Sequence, residues 1–590
     1  MRSAVPSCPW CPALRGLLLL VVILSFRPFQ ALGQAPTWQT LAAAAADPGS
    51  FVQSNSYARA LATDGTGNVY LAGTFSGSID FGSTNLVTGG PTDVRLFVAK
   101  WNRATNRFVW AVQAGGTNGG ERAAALAVRG SDLYVAGSFY GTVRFGSTTL
   151  TSAGAQDLFV AKLTDAGTTS SWTWAQRAGG RAWDEATALA VSGANVYVAG
   201  GFGANDVSFP AQFGATTLAG TGSYSVFVAK LTDAGASGSW TWAVGAGALN
   251  GDEEAHALAV SGASVYIAGQ MQNTTAFGNT VLTASGSASR DLFVAKLTDL
   301  GGGVDWVWAQ KAGSVGGEAQ ANALAVNGPN VYVGGSFGNF NGNPFTLGGV
   351  IVANAGRFNA VVAKLVDGGA SSSWTWAQAV PGTVYNKVNA LAVSGNRVYA
   401  AGSYGGTGRF GPTTLTATGP NGYPDLFVAQ LTDAEPTGAF AWAVGAGGAY
   451  VDTVYGMALS GPSLYVAGAS YAPAQFGALA LPTPVALYYD TAFLASLSGG
   501  TLATAGAASR AALLLFPNPA RASVTIQGAE RGGSVRVQVV DLLGREVRSY
   551  AGAATAAGGY ACDLRGVPAG LYLVRVSANG GVSTHRLQVD

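Results

Sequence analysis

Short apolar blocks, divided by Gly, Ser, Thr and Asn, recur along most of the chain in a fixed order. "ALAV" (as at Ala188) leads through a short "SGAN" turn to "VYVAG"; a long connection carrying an "FG…L" element follows, then "LFVAKL" and, past a turn, "WTWAQ". The blocks have strand length, favour β-branched and aromatic residues, and end in turn formers, so the pattern predicts four strands per unit. Alternation is weak. In "LFVAKL", Leu158, Val160 and Lys162 fall on one face and Phe159, Ala161 and Leu163 on the other. A strand apolar on both faces is buried between two layers. In "WTWA", the same alternation puts Trp172 and Trp174 on one face, where burying one such ring is worth roughly 2–3 kcal/mol.

The order repeats about every 66 residues. Seven Tyr anchors (Tyr70, Tyr134, Tyr197, Tyr266, Tyr332, Tyr399 and Tyr465) are spaced by 64, 63, 69, 66, 67 and 66 residues. Seven "FVAK"-type anchors accompany them, at Phe97, Phe159, Phe227, Phe293, Val361, Phe427 and Phe493. Only six Trp-Ala anchors do, at Trp110, Trp174, Trp242, Trp308, Trp376 and Trp442. From Trp to the next Tyr the interval is 23 or 24, whereas from Tyr to the second anchor it drifts between 25 and 30. Insertions are tolerated in loops and not in paired strands, so each unit has a tight core and one variable connection.

Seven four-stranded units buried on both faces predict an all-β chain whose main body, residues 34–497, is a seven-bladed β-propeller. The absent seventh Trp fits this. The aromatic strand expected near Ala508 is replaced by "TLATAGAASRAA", while an unpaired Trp38 stands at the other end in "APTWQT". The N-terminal segment then supplies the last strand and removes an open edge. Trp38 lies 32 residues before Tyr70, which makes "AAAAADPG" a local insertion. A solenoid, the alternative architecture, needs no complementary strand from the far terminus. The units resemble the SBBP-type β-propeller repeats of bacterial secreted proteins, from about Thr37 to Leu497, on the pattern "LAV…G…VYVAG…FG…DLFVAKL". That resemblance implies the fold and no shared catalytic apparatus.

The two ends read as addresses. Arg2 and Arg15 precede the apolar run "GLLLLVVIL" (Gly16 to Leu24), shorter than the about 20 residues that span a bilayer. With small residues in "ALGQ", residues 1–33 read as a secretory signal peptide cleaved between Gly33 and Gln34. Cys8 and Cys11 are discarded with it, which leaves Cys562 as the one thiol and no internal disulfide. No later segment reads as a transmembrane helix.

At the other end a small-residue linker (498–512) precedes a separate tail (513–590). The tail's short strands predict a small β-sandwich, with "DLLGRE" a hairpin turn and "PAGLY" another. "FPNPA", "VVDLLGREV" and "GLYLVRV", in this order, resemble the type A sorting domain of the type IX secretion system. The matching residues are Pro517, Asn518, Pro519, Asp541, Gly544, Gly570 and Tyr572. The resemblance implies export through the periplasm of a Gram-negative cell, contact with the type IX machinery, and a secreted or surface-held product. The chain ends "LQVD", where many members end with a basic residue.

Composition narrows function by exclusion. Lys+Arg (32) nearly balance Asp+Glu (30), a net charge of +2, which offers no electrostatic case for nucleic acid. Two histidines, His256 and His585, cannot build a three-His zinc site. "GDEEAH" (Gly251 to His256) lacks the order of a zinc-protease helix, and no nucleophile elbow or phosphate loop occurs.

One polar feature recurs. The connection into each "ALAV" strand usually carries a carboxylate: Glu121, Glu185, Glu253 or Glu254, Glu318 and Asp452. Such residues can cap local turns, or form a polar face for a sugar or for calcium, the one cofactor the sequence leaves open. Two functions follow: a non-enzymatic interaction module for adhesion, glycan or matrix binding, or a polysaccharide hydrolase or lyase with two acids in one cleft.

Overall fold

In a computed structural model of the chain the described residues are 35–46, 54–82, 84–116, 120–203, 210–220, 222–248, 251–339, 341–354, 358–382, 384–471, 473–481, 490–498, 514–516, 518–527, 534–541, 545–553, 555, 559–578 and 581–590. The signal segment with Gly33 and Gln34, the linker beyond Ser498, and Pro517 and Gly544 of the tail motif lie outside them.

The described residues are all-β, with one short 3-10 turn at Pro420–Gly422 and no α-helix. The blocks form the expected strands in the expected order. In the third unit, Asp184–Ser192, Asn195–Gly203, Tyr224–Asp233 and Gly238–Ala246 pair consecutively and antiparallel. Seven such runs of four strands follow one another among the described residues. In the last, Asp452–Ser460, Ser463–Tyr471 and Asp490–Ser498 are completed by Thr37–Ala43 from the opposite end of the chain. The first strands of successive units lie side by side, and that of the seventh lies against that of the first, Asn55–Thr63. The circuit is propeller-like, with an axis lined by the first strands.

Both faces of each third strand are buried, as the apolar pattern requires. Phe159, Ala161 and Leu163 pack toward the preceding unit, and Leu158 and Val160 toward the following one. The two tryptophans of "WTWA" do not share a face. Trp172 packs beside Phe159 on the first side, and Trp174 on the second. A β-bulge between the Lys162–Trp174 and Leu163–Trp172 pairs inserts one residue and reverses the alternation.

The bulge also corrects Trp38. Its pairing with Leu497 is that of Trp172 with Leu163, and Thr40, opposite Ser496, takes the register of Trp174. Trp38 therefore replaces the outer tryptophan, and the seventh unit has none at the inner place. The "FG…L" element explains the outer ring. It folds as a small hairpin, as at Ala211–Phe213 and Thr216–Leu218, whose Phe213 lies 5.0 Å from Phe227 and 5.4 Å from Trp240. In the seventh unit Phe476 stands 5.1 Å from Phe493 and 5.2 Å from Trp38. The glycine of "FG" is at φ +59° in Gly214 and +61° in Gly477, the left-handed region where a side chain is strained.

The inner tryptophan takes part in a polar node between units. In the third unit, Tyr197 Oη donates to Asp299 of the fourth (2.7 Å), Lys230 pairs with it (2.8 Å), and Trp242 Nε1 donates to its other oxygen (3.1 Å). Lys162 with Asp233 and Lys296 with Asp367 repeat the arrangement. The node explains why "KLTD" carries a lysine in an otherwise apolar strand.

The tail forms a three-stranded sheet (Leu514–Phe516, Ser523–Gln527, Gly559–Asp563) and a four-stranded one (Glu546–Ala553, Ser534–Val540, Gly570–Ala578, Gly581–Val589) that share one core. Asp541 closes the "DLLGRE" hairpin by accepting from Arg545 N (3.0 Å) and Nε (2.7 Å). "PAGLY" is not a hairpin turn: it carries the chain from one sheet to the other. Asn518 Oδ1 accepts from Gln588 N (2.9 Å), Gly570 opens the strand opposite Val589, and Tyr572 Oη donates to Pro568 O (2.8 Å). Pro519 is exposed beside Asn518. Cys562 is buried, and burial pushes its thiol up to about 11.

Candidate functional site

Each first strand carries a bulge near its start, at Arg59, Ala124, Thr187, His256, Asn322, Asn389 or Tyr455. Counting back from it separates the sequence-selected acids into three registers. Three residues before the bulge stand Ser56, Glu121, Asp184, Glu253, Ala319, Asn386 and Asp452, all buried. Gly180 N donates to Asp184 (2.6 Å), Ala248 N to Glu253 (3.1 Å), Gly448 N to Asp452 (2.8 Å), and Gly405 N to Asn386 (3.0 Å). Asp184, Glu253 and Asp452 thus tie the incoming connection to the strand, and Asn386 ties its strand to the end of the next one.

Burial raises Glu121, Asp184, Glu253 and Asp452 each to about 7. An acid whose folded value is raised favours the folded state while protonated. Its contribution is lost as pH climbs from the ordinary carboxyl range through the folded value. Asp299 is the opposite case: burial pushes it up, but hydrogen bonds from Lys230, Tyr197, Gly301 and Trp242 outweigh burial and hold it low. Its contribution is lost as pH falls. The melting temperature should therefore peak near about pH 4–5 and decline on both sides. Thermal unfolding across pH 2–9 checks this, and a flat profile from pH 5 to 8 counts against the raised acids.

Two residues before the bulge the repeat stops repeating. The seven positions hold Tyr57, Arg122, Glu185, Glu254, Gln320, Lys387 and Thr453. These residues share one space: Arg59 acts on Glu185 from two units away and on Lys387 from the other side. Burial, then Glu185 and Asp252, raise Glu254 to about 8. His256, 3.9 Å from Glu254, is lowered to about 4 by burial and is neutral at pH 7. Acids gather on the third and fourth units; Arg59, Arg122 and Lys387 belong to the first, second and sixth.

Glu318 lies a further residue out, exposed, in the register of Asp252 and Tyr385. The structure thus brings Glu185 and Glu254 together at the axis and leaves Glu121, Asp452 and Glu318 elsewhere. Among the described residues no three His, Cys, Asp or Glu side chains gather as a metal-holding group.

A cavity of about 500 Å³ opens at this end of the axis, on the fourth to seventh units. Gln320, Lys387 and Thr453 line it from the non-repeating register, Glu318 and Tyr385 from the rim, and Arg290 and Phe358 from the variable connections. Phe358 and Tyr385 stack at 4.4 Å and 19°. Arg290 is paired with Asp252 at 2.9 Å. Sequence reasoning missed Gln320, Phe358 and Tyr385; Lys387 shows in the sequence as the base that stands where other units carry an acid. Aligning the units on their bulges would have exposed Gln320, which occupies the place where Glu185 and Glu254 stand in the third and fourth units.

A family model described as a secretion system C-terminal sorting domain matches residues 514–590. The tail is a type IX sorting domain, which makes the protein a secreted or cell-surface one. No curated protein matches the chain. Among solved structures, a Trypanosoma rangeli sialidase in complex with the inhibitor DANA is 9% identical over 78% of this chain and 83% of its own, with a TM-score of 0.31. An acylaminoacyl peptidase in complex with Z-Gly-Gly-Phe-chloromethyl ketone is 8% identical over 70% and 58%, with a TM-score of 0.25. TolB from Acinetobacter baumannii is 8% identical over 59% and 75%, with a TM-score of 0.22. No helix of the described residues is long and apolar enough to cross a membrane.

Proposed function

We propose that this is a seven-bladed β-propeller exported by type IX secretion, and that the propeller is a non-enzymatic interaction module holding its ligand at the mouth of its axis. On this reading a signal peptide (1–33) directs passage through the periplasm, residues 34–497 form the propeller, 498–512 link it, and 513–590 engage the export machinery. Support for the blade count comes from seven four-stranded runs whose first strands meet in a circuit.

One observation carries the ligand site. The core of each unit is copied closely, yet the register two before the bulge diversifies from Tyr57 to Thr453, and it borders the cavity. A position that only had to hold the fold would repeat with its neighbours. Convergent polar groups around stacked aromatics are the makeup of a binding pocket. The chemistry suits a glycan ligand. Calcium is not needed by this reading, although an exposed carboxylate such as Glu318 leaves room for one.

A second reading, polysaccharide hydrolase or lyase, draws on Glu185 and Glu254. Two carboxyls that act on one another in one space, Glu254 raised to about 8 and Glu185 raised as well, each by burial first, are the kind of acid pair that glycoside chemistry uses.

The test joins address and site. Deleting 512–590 should hold the protein in the periplasm, and the exported full-length form should begin at Gln34. On a glycan array, that form should retain saccharides that Gln320→Trp, which fills the cavity, no longer retains. Normal surface display of the truncation, or array binding indifferent to Gln320→Trp, counts against the respective half. Release of new reducing or unsaturated ends, lost in Glu254→Gln, would favour the enzyme.

A further inference from the structure

Lys387 is the odd member of its register. It sits at the head of Lys387–Ser394, half-buried and lining the cavity, while Lys100, Lys162, Lys230, Lys296 and Lys364 are all paired with a buried Asp. No carboxylate of the described residues lies within ion-pair distance of Lys387. Burial and the positive charge of Arg59 both lower its pKa. A desolvated cation with no counter-charge costs stability, and this one lines an open cavity. The charge is kept where a solute can reach it.

Its surroundings define that solute. The stacked Phe358 and Tyr385, with Tyr385 58% exposed, offer an aromatic platform of the kind that packs against the C–H face of a pyranose ring. Gln270 and Gln320 bring side-chain amides to the same cavity, each able to donate to and accept from a hydroxyl. Arg290 is already neutralised by Asp252, and Glu318 stands at the rim, so Lys387 is the cation left for an anion inside. About 500 Å³ suits one to three sugar units by the size range of small-molecule sites.

We propose that the cavity binds an anionic saccharide, with the carboxylate of a uronic acid unit on Lys387 Nζ and the sugar ring against the Phe358–Tyr385 stack. This rests on the reading of the axial mouth as a ligand site. It adds the charge class and the residue that selects it. An ammonium–carboxylate contact formed away from bulk water is a strong hydrogen bond, and neutral glycans forgo it while leaving Lys387 desolvated.

Isothermal titration of the purified full-length chain tests this with three probes: oligogalacturonate, a sulfated neutral oligosaccharide, and cello-oligosaccharide. Oligogalacturonate should bind, and Lys387→Met should weaken it by about tenfold or more. The same substitution should leave the melting temperature unchanged or raised, because an unpaired buried charge is removed. Tyr385→Ala should weaken all saccharides that bind. Cello-oligosaccharide should bind more weakly, with no response to Lys387→Met. Sulfated oligosaccharide losing as much as oligogalacturonate in Lys387→Met supports the anion site and makes ester sulfate an equal source of the charge. Equal binding of cello- and galacturonate oligomers, both indifferent to Lys387→Met but lost in Gln320→Trp, overturns the charge class and leaves the axial site standing. Absence of binding by all three overturns both.

Discussion

Deleting residues 35–46 should cost the seventh unit its outer strand and lower the melting temperature more than any single substitution outside the unit interfaces. Thr37–Ala43 pairs with Asp490–Ser498 along most of its length, from Thr37 opposite Ser498 to Ala43 opposite Phe493. Just beyond, Ala44 N donates to Ala492 O (2.9 Å). Without it, Phe476 and Phe493 lose the Trp38 ring that covers them. The Asp490–Ser498 backbone also becomes a free edge, open to pairing with another chain. The truncated protein should therefore both melt early and self-associate. Trp38→Ala isolates the side chain. Loss of a fully buried Trp costs about 3–5 kcal/mol. Trp38 is half-buried, so about 2–3 kcal/mol is expected, similar to Trp240→Ala at the same register. Urea unfolding of the three variants, with light scattering for the deletion, is the measurement. A deletion that melts with the parent and stays monodisperse would mean that the seventh unit needs no strand from the N-terminus.

The strands were legible because each block is short, apolar and closed by turn residues, and the faces of "LFVAKL" followed simple alternation. The bulge defeated the same rule one strand later. It leaves no mark in "WTWA", since Thr173 looks like any outward residue, and so simple alternation puts Trp172 and Trp174 on one face and Trp38 in the wrong register. The acids suffered from the same blindness. Asp184 and Glu185 are neighbours in sequence, yet one is buried against Gly180 and the other looks into the axis. Only the position of the bulge at Thr187 tells them apart. The cavity was less legible still. Arg290, Phe358, Tyr385 and Lys387 come from three units, and two of them lie in the connections whose length varies most. By contrast, the lysine and aspartate of "KLTD" repeat in plain sight. Their pairing is across units, about 70 residues apart (Lys230 to Asp299 is 69), which no local pattern reports.

That pairing sets the second large effect. Asp299→Asn should destabilise by about 3–5 kcal/mol, the usual result of stranding one member of a buried pair. Lys230 is 5% and Asp299 7% exposed at the side chain, so water cannot take over as partner. The carboxylate serves four donors at once: Lys230 Nζ, Tyr197 Oη, Trp242 Nε1 and Gly301 N (2.9 Å). An Asn oxygen can keep part of that set but not the charge that Lys230 requires. Lys230→Met should cost much less. It leaves Asp299 with three neutral donors, and Met fills the space of the lysine stem. The double variant Lys230→Met, Asp299→Asn should then recover most of the loss seen in Asp299→Asn alone, a coupling well outside additivity.

The pH dependence separates this from a packing defect. Because the donors hold Asp299 low, its contribution is present above the ordinary carboxyl value and fades as pH falls through the folded value. The gap between parent and Asp299→Asn, read from urea midpoints, should be full at pH 6 and shrink toward about pH 2–3. In the sixth unit Gln430 stands in the lysine position and accepts from Trp442 Nε1 of the same unit (3.1 Å), so the inner tryptophan can be satisfied there without a charged partner. Equal losses in Asp299→Asn and Lys230→Met, or a gap that does not respond to acid, would show that the lysine's charge is not what ties one unit to the next.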